Sequence, residues 1–186
     1  SDLAKGELKE IENSNNVNIK FEDYLDVIFK KTASLFATSS MSGALLGGAN
    51  ENDIQKLYSY GRNLGLGFQI FDDILDFEGE ETQLGKPIGS DLKNGIMTYP
   101  SIIARTKDKN IKKDIEELFQ LSKKNKEIAA KEIANTIKRK GYIEESKNKA
   151  SELIKSSIND IEIIDKNNVY IKSLEDLAYY SMNREK

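Results

Sequence analysis

The chain has 186 residues and a formal net charge of −3, with 28 Lys and Arg set against 31 Asp and Glu. That length suffices for one domain with a sizeable core. Its interspersed charge leaves no footprint for nucleic acid, and no apolar run approaches the ~20 residues of a transmembrane helix. Neither Cys nor His occurs, which excludes disulfides, thiol nucleophiles, thiolate metal sites and the commonest general base, and leaves chemistry to carboxylates, lysines, hydroxyls and a bound metal.

Residues 2–12 (DLAKGELKEIE) read as the tail of a helix that began earlier. No start Met or leader precedes them, so the expectation is a fragment of a longer protein. Residues 13–18 form a polar loop. Residues 20–47 read as one long helix, because Phe21, Tyr24, Leu25, Ile28, Phe29, Thr32, Leu35 and Phe36 recur at three- and four-residue steps. Its second half, SSMSGALLGG, is small and apolar and allows close helix packing. Periodicity alone leaves open whether residues 32–47 face the core or a second copy of the chain. Gly47 and Gly48 end the helix, and Ala49 to Asn52 form the turn.

Residues 53–77 predict the next helix. Gly61, Gly65 and Gly67 lower its propensity, which points to close approach of another backbone or of a ligand. Its last turns carry Asp72, Asp73 and Asp76 among Phe68, Ile70, Phe71, Ile74, Leu75 and Phe77. Carboxylates in apolar surroundings need a partner or a cation. Asp72 and Asp76 are four apart and share a helix face, while Asp73 sits about 100° round from Asp72. Three like charges so close repel one another. A hard divalent cation with oxygen ligands removes that penalty, typically Mg²⁺ bridging to a substrate phosphate. The plainer alternative is a solvated acidic face.

A loop follows with Gly79, Gly85, Gly89, Gly95 and Pro87, carrying Lys86, Asp91 and Lys93. Beside the acidic helix it reads as a candidate lid over a metal-bound phosphate. Pro100 fits the first turn of the next helix, with Thr98 or Tyr99 near its start. Residues 110–140 give two amphipathic helices, 142–164 another, and 169–183 a last one, each with a charged face over one apolar stripe. The fold class expected is all-α, a helical bundle with short connections forming a single domain over 1–186.

At FQIFDDILDF, LGKPIGSDL and the G-x-x-T-x-P of residues 95–100, the sequence resembles the trans-isoprenyl (polyprenyl) diphosphate synthases, around their second aspartate-rich motif. GEL at 6–8, FKKTASLF at 29–36 and the terminal NREK also resemble family motifs. The resemblance covers nearly the whole chain and implies the C-terminal part of an isoprenoid synthase-type bundle, without the family's first aspartate-rich motif. Glu22, Asp23 and Asp26 imitate that motif's spacing but lie just before Lys31-Thr32, where the family has an ordinary helix. Ile96 stands where many relatives have a lysine that holds phosphate.

The resemblance implies Mg²⁺-dependent head-to-tail condensation of isopentenyl diphosphate with an allylic diphosphate, in a homodimer. Asp72, Asp73 and Asp76 would hold Mg²⁺. Lys31 and Lys86 would contact the allylic diphosphate. Thr32 and Gln69 would steady the cation by their dipoles, Phe68 would line the homoallylic pocket, and Asp91 would reach the metal site through water. Each has a plainer account: Lys31 as a solvated lysine, Thr32, Phe68 and Gln69 as packing inside the bundle, Asp91 as a turn cap. The resemblance fits a cytoplasmic enzyme, with a mitochondrial or plastid address left open. Three other functions compete: a non-catalytic regulatory subunit of a heteromeric synthase, a terpene cyclase (against which the LGKPIGSDL loop argues), and a structural helical protein with an acidic patch.

Overall fold

The computed structural model describes residues 1–78, 87–165 and 168–182, without the side chains of Lys123 and Asp165. Every element among them is helical, as the 3.6-residue patterning predicts. In chain order these are α1 (Asp2–Glu12), α2 (Phe21–Ile28), a π-helical turn (Phe29–Ala33), α3 (Ser34–Leu46), α4 (Glu51–Glu78), α5 (Ser90–Lys93), α6 (Tyr99–Lys107), α7 (Lys109–Gln120), α8 (Lys123–Arg139), α9 (Tyr142–Asp165) and α10 (Val169–Met182). No described helix is long and apolar enough to cross a membrane.

The chain divides into two compact units. The first takes Ser1–Gly6, Ile28–Gln69 and Lys149–Lys186; the second takes Glu7–Val27 and Ile70–Asn148. Helix α4 runs from one into the other.

In the first unit, helices approach where side chains are missing. A Cβ on Gly65 would lie 2.6 Å from the Cα of Ala33, and one on Gly61 would lie 2.8 Å from the Cα of Ala37, with the Phe36 carbonyl closer still. These are backbone contacts, so a methyl group there has nowhere to go. Both glycines therefore serve packing, not a ligand. Tyr60 is buried, and its hydroxyl donates to the Leu174 carbonyl at 2.8 Å, tying α10 to α4. Asp160 Oδ2 accepts from the Ser59 hydroxyl at 2.7 Å and from Asn63 Nδ2 at 3.1 Å, tying α9 to α4.

The single helix expected over 20–47 is instead interrupted at residues 29–33 by the π-turn. Its neighbours approach closely, and the hydroxyl of the residue that follows it is engaged in it. A Cβ on Gly6 would meet the Lys31 nitrogen at 2.7 Å, so α1 presses on this turn as Gly65 presses on Ala33. The Ser34 amide reaches back five residues to the Phe29 carbonyl, and the Ser34 hydroxyl donates to the Lys30 carbonyl at 2.9 Å, satisfying an acceptor in the widened turn.

In the second unit, large aliphatic side chains make the core. Ile111, Ile115 and Leu118 of α7 and Ile133, Ala134 and Ile137 of α8 are buried where the two helices pack. Helix α6 starts as expected at Thr98 with Pro100 in its first turn, and the Thr98 amide donates to the Ser101 hydroxyl oxygen at 3.0 Å. Asp108 caps α7, accepting from the Asn110 and Ile111 amides at 2.9 and 3.3 Å. Arg105 donates to the Ile19 carbonyl and so holds the segment between α1 and α2.

Candidate active site

The acidic end of α4 belongs to the second unit. Asp72 is exposed, while Asp73 and Asp76 are buried, at 8% and 1% exposure. The sequence expectation of carboxylates in an apolar setting is therefore met by two of the three. Each has an oxygen in a hydrogen bond within this unit. Asp73 Oδ2 accepts a hydrogen bond from the Tyr24 hydroxyl at 2.7 Å. Asp76 Oδ2 accepts from the Asp91 amide at 3.0 Å. Hydrogen bonds to a carboxylate are shorter and stronger than neutral ones, and they offset its desolvation.

The Asp91 backbone thus meets the acidic helix directly. Its segment is anchored a second time by the Gly89 amide, which donates to the Asp76 carbonyl at 2.9 Å. Gly89 has φ +78°, a left-handed conformation that favours glycine, and it opens α5, a one-turn helix within what reads from sequence as loop. Lys86, Gly79 and Gly85 of the expected lid lie outside the described residues, as does the terminal NREK. Lys93 is bound to Glu127 on α8 at 2.5 Å, so it is engaged in the scaffold.

Tyr24 has no place among the residues picked out for chemistry. As sequence it is one apolar position in the α2 stripe, and nothing local signals that its hydroxyl meets an aspartate 49 residues on. It is buried, with its ring against those of Phe21 and Tyr99, whose centroids lie 6.3 and 6.1 Å from it and 5.2 Å from each other. Burial first, and the Asp73 charge second, push its hydroxyl well above the ordinary tyrosine range, so it remains a donor.

Glu22, Asp23 and Asp26, whose spacing imitates an acidic motif, flank Tyr24 on α2. Lys9 Nζ donates to Asp26 at 2.7 Å and lies 3.5 Å from Asp23. The hydrogen bond to Asp26 holds the Lys9 ammonium above its usual range. Among the described residues, no three or more acidic side chains gather closely enough to enclose a metal ion by themselves.

The remaining predicted residues fall in the first unit. Thr32, in the π-turn, donates to Gln69 Oε1 at 2.5 Å, so these two come together across 37 residues of chain. Phe68 packs its ring on that of Phe36, with centroids 5.5 Å apart. Lys31 is half-buried, its backbone against Gly6. Along α4 the candidates follow one another at helical spacing: Gln69 is one turn before Asp73, and Phe68 one turn before Asp72.

Helices throughout the described residues, and three aspartates ending the long helix α4, agree with the isoprenoid-synthase class that the sequence resembles. Comparison with known proteins narrows the class. The polyprenyl synthetase family model matches residues 1–137, and the chain belongs to that family. It is 41% identical over 186 residues to a prenyl transferase of Cyanidium caldarium, covering 100% of this chain and 56% of that protein. Heptaprenyl diphosphate synthase from Staphylococcus aureus superposes with a TM-score of 0.91 at 32% identity, over 100% of this chain and 57% of that one. A polyprenyl synthase from Caulobacter crescentus CB15, solved with calcium and isoprenyl diphosphate, superposes with a TM-score of 0.85 at 27% identity, over 100% of this chain and 56% of that one. The chain thus spans little more than half the length of these relatives.

Proposed function

We propose that the protein carrying this chain is a polyprenyl diphosphate synthase that joins isopentenyl diphosphate to an allylic diphosphate. The observation that carries the reading is the pair of buried, hydrogen-bonded carboxylates, Asp73 and Asp76, in a chain of this family. The donor set is oxygen-only and hard. Such donors suit a hard cation that completes its shell with water and phosphate oxygens, which is magnesium's habit. Asp72, Asp73 and Asp76 would hold it. Bound there, Mg²⁺ supplies charge that stabilises a departing diphosphate. The calcium and isoprenyl diphosphate of the Caulobacter structure support such a site.

The rest is assigned to this chain's own groups. Lys31 places a positive charge for the allylic diphosphate, and Lys86 is assigned the same task. As the allylic C–O bond breaks, positive charge develops on carbon, and the Thr32 and Gln69 oxygens present dipoles to it. Phe68 forms an apolar wall for the homoallylic substrate. The isopentenyl double bond attacks the allylic carbon, a C–C bond forms, and a proton leaves to the released diphosphate, which explains how a chain with no His manages the reaction. Homodimerisation is part of the proposal: Leu35, Leu45 and Leu46 on α3 are exposed, an apolar surface that a second copy would cover.

The test is incorporation of labelled isopentenyl diphosphate by the full protein with Mg²⁺ and allylic diphosphates of several lengths. Asp73→Asn and Asp76→Asn should each lower product formation by roughly 10²–10³-fold. A full protein that elongates none of these substrates, yet is folded, refutes catalysis. One observation favours a second reading, a non-catalytic subunit: Asp23 and Asp26 are tied to Lys9 and do not double as a second metal-binding motif. In that case incorporation appears only when a partner polypeptide is added.

A further inference from the structure

We infer that Tyr24 is a positioning residue for metal binding, holding the Asp73 carboxylate in one orientation through its hydroxyl. The inference rests on the metal-dependent reading above. A carboxylate side chain turns about its terminal bond with little resistance, because that torsion has broad minima. Asp73 is denied that freedom by a 2.7 Å hydrogen bond to one oxygen. The donor is itself fixed. Its ring is buried in a three-ring cluster with Phe21 and Tyr99, which also touch each other, and Tyr99 opens helix α6. Helix α2, which carries Tyr24, is tied to α1 within the same unit by the Lys9–Asp26 hydrogen bond. The hydroxyl therefore cannot swing away without repacking three aromatic rings.

Two consequences separate this from a tyrosine that merely satisfies its own hydroxyl. Fixing one oxygen of Asp73 fixes the direction in which the other presents its lone pairs. Outer-shell partners of this kind typically govern metal affinity by 10–100-fold. A hydrogen bond needed only for packing, by contrast, would show itself in stability and act independently of what Asp73 does.

The experiment is a Mn²⁺ titration of the full protein by electron paramagnetic resonance, with and without inorganic pyrophosphate. Tyr24→Phe keeps the ring in its stack and removes only the donor, and circular dichroism verifies its fold at the titration temperature. Its Mn²⁺ affinity should fall by about tenfold, whereas in an Asp73→Asn background the same change should alter affinity no further. Unchanged affinity in Tyr24→Phe overturns the inference and leaves the metal reading intact. So does an equal loss in both backgrounds, which marks a structural role. Absence of Mn²⁺ binding by the wild-type protein under both conditions removes the metal reading and this inference with it. A second measurement needs no tyrosine variant: the ¹³Cζ resonance of Tyr24 should move when Mg²⁺ and pyrophosphate are added to the wild type and stay put in Asp73→Asn, and a resonance that ignores the metal in both overturns the inference.

Discussion

Helices α3 and α4 meet across missing side chains, whereas helices α7 and α8 meet across large ones. Between α4 and the segment Ala33–Ala37, the distances are those of backbone to backbone, because Gly61 and Gly65 leave no Cβ to separate them. Between α7 and α8 the space is filled by Ile111, Ile115, Leu118, Ile133 and Ile137, beneath outward faces of Lys and Glu. The two solutions tolerate error differently. Aliphatic side chains can shift rotamer to absorb a change of one methyl group, but two backbones cannot. The stiff contact lies beside two of the candidate residues: Thr32 occupies the π-turn with Ala33, and Gln69 follows Gly65 by one turn. The compliant contact lies in scaffold. Close backbone packing thus holds the Thr32–Gln69 hydrogen bond in place, while α7 and α8 contribute burial in their own unit.

Single-methyl changes set the two regions against each other. The largest effect is expected from Gly61→Ala or Gly65→Ala. Each gains helix propensity, but the added methyl group meets backbone atoms, and a net loss of about 1–3 kcal/mol should appear in urea denaturation. A stabilised variant would break the comparison. Gly6→Ala tests the same principle at the π-turn: its methyl group would press on the Lys31 nitrogen, so pyrophosphate binding, monitored by calorimetry, should weaken even if the melting temperature hardly moves. In the scaffold, Ile115→Val removes one methylene from a fully buried site and should cost about 1 kcal/mol. Smaller, and opposite in sign, is Gly43→Ala on α3, where an added Cβ meets nothing within 4 Å. It should stabilise by roughly 0.5–1 kcal/mol through helix propensity alone.

The smallest effect concerns a surface pair on the scaffold. The Lys140 ammonium, and then the α7 amides, hold the Asp108 carboxyl below its usual range. A carboxylate with a depressed folded-state pKa contributes stability above its unfolded pKa of about 3.9 and loses it as pH falls through the folded value. Asp108→Asn keeps a capping oxygen but removes the charge. Its melting temperature should lie slightly below that of the wild type at neutral pH, and the two should converge below about pH 4. A gap that persists in acid would assign the effect to capping.

Much of the fold was legible in the amino-acid order because helices declare themselves locally. Apolar residues at three- and four-residue steps, Pro100 in a first turn and Gly48 beyond a last one are signals contained within a few residues. The same holds for Asp73 and Asp76, whose apolar neighbours announce their burial, though Asp72 beside them is exposed, and for the glycines of α4, whose cost in propensity pointed to close approach of another backbone or of a ligand. The sequence motifs also sufficed for the family, since residues 68–100 carry its marks in order.

What only the tertiary structure decided depends on residues distant in the chain. Periodicity favours an uninterrupted α-helix through residues 29–33; the π-turn occurs where Gly6 and Gly65 bring two other segments close and the Ser34 hydroxyl donates to the Lys30 carbonyl. Nothing near Asp23 and Asp26 reveals that Lys9 claims them. Tyr24 has the sequence signature of a core residue, and only packing brings its hydroxyl to Asp73. The physical reason is common to all of these. Helical patterning specifies which face of a helix is buried, but which polar atoms meet on that face is set by the angle and depth at which distant helices pack.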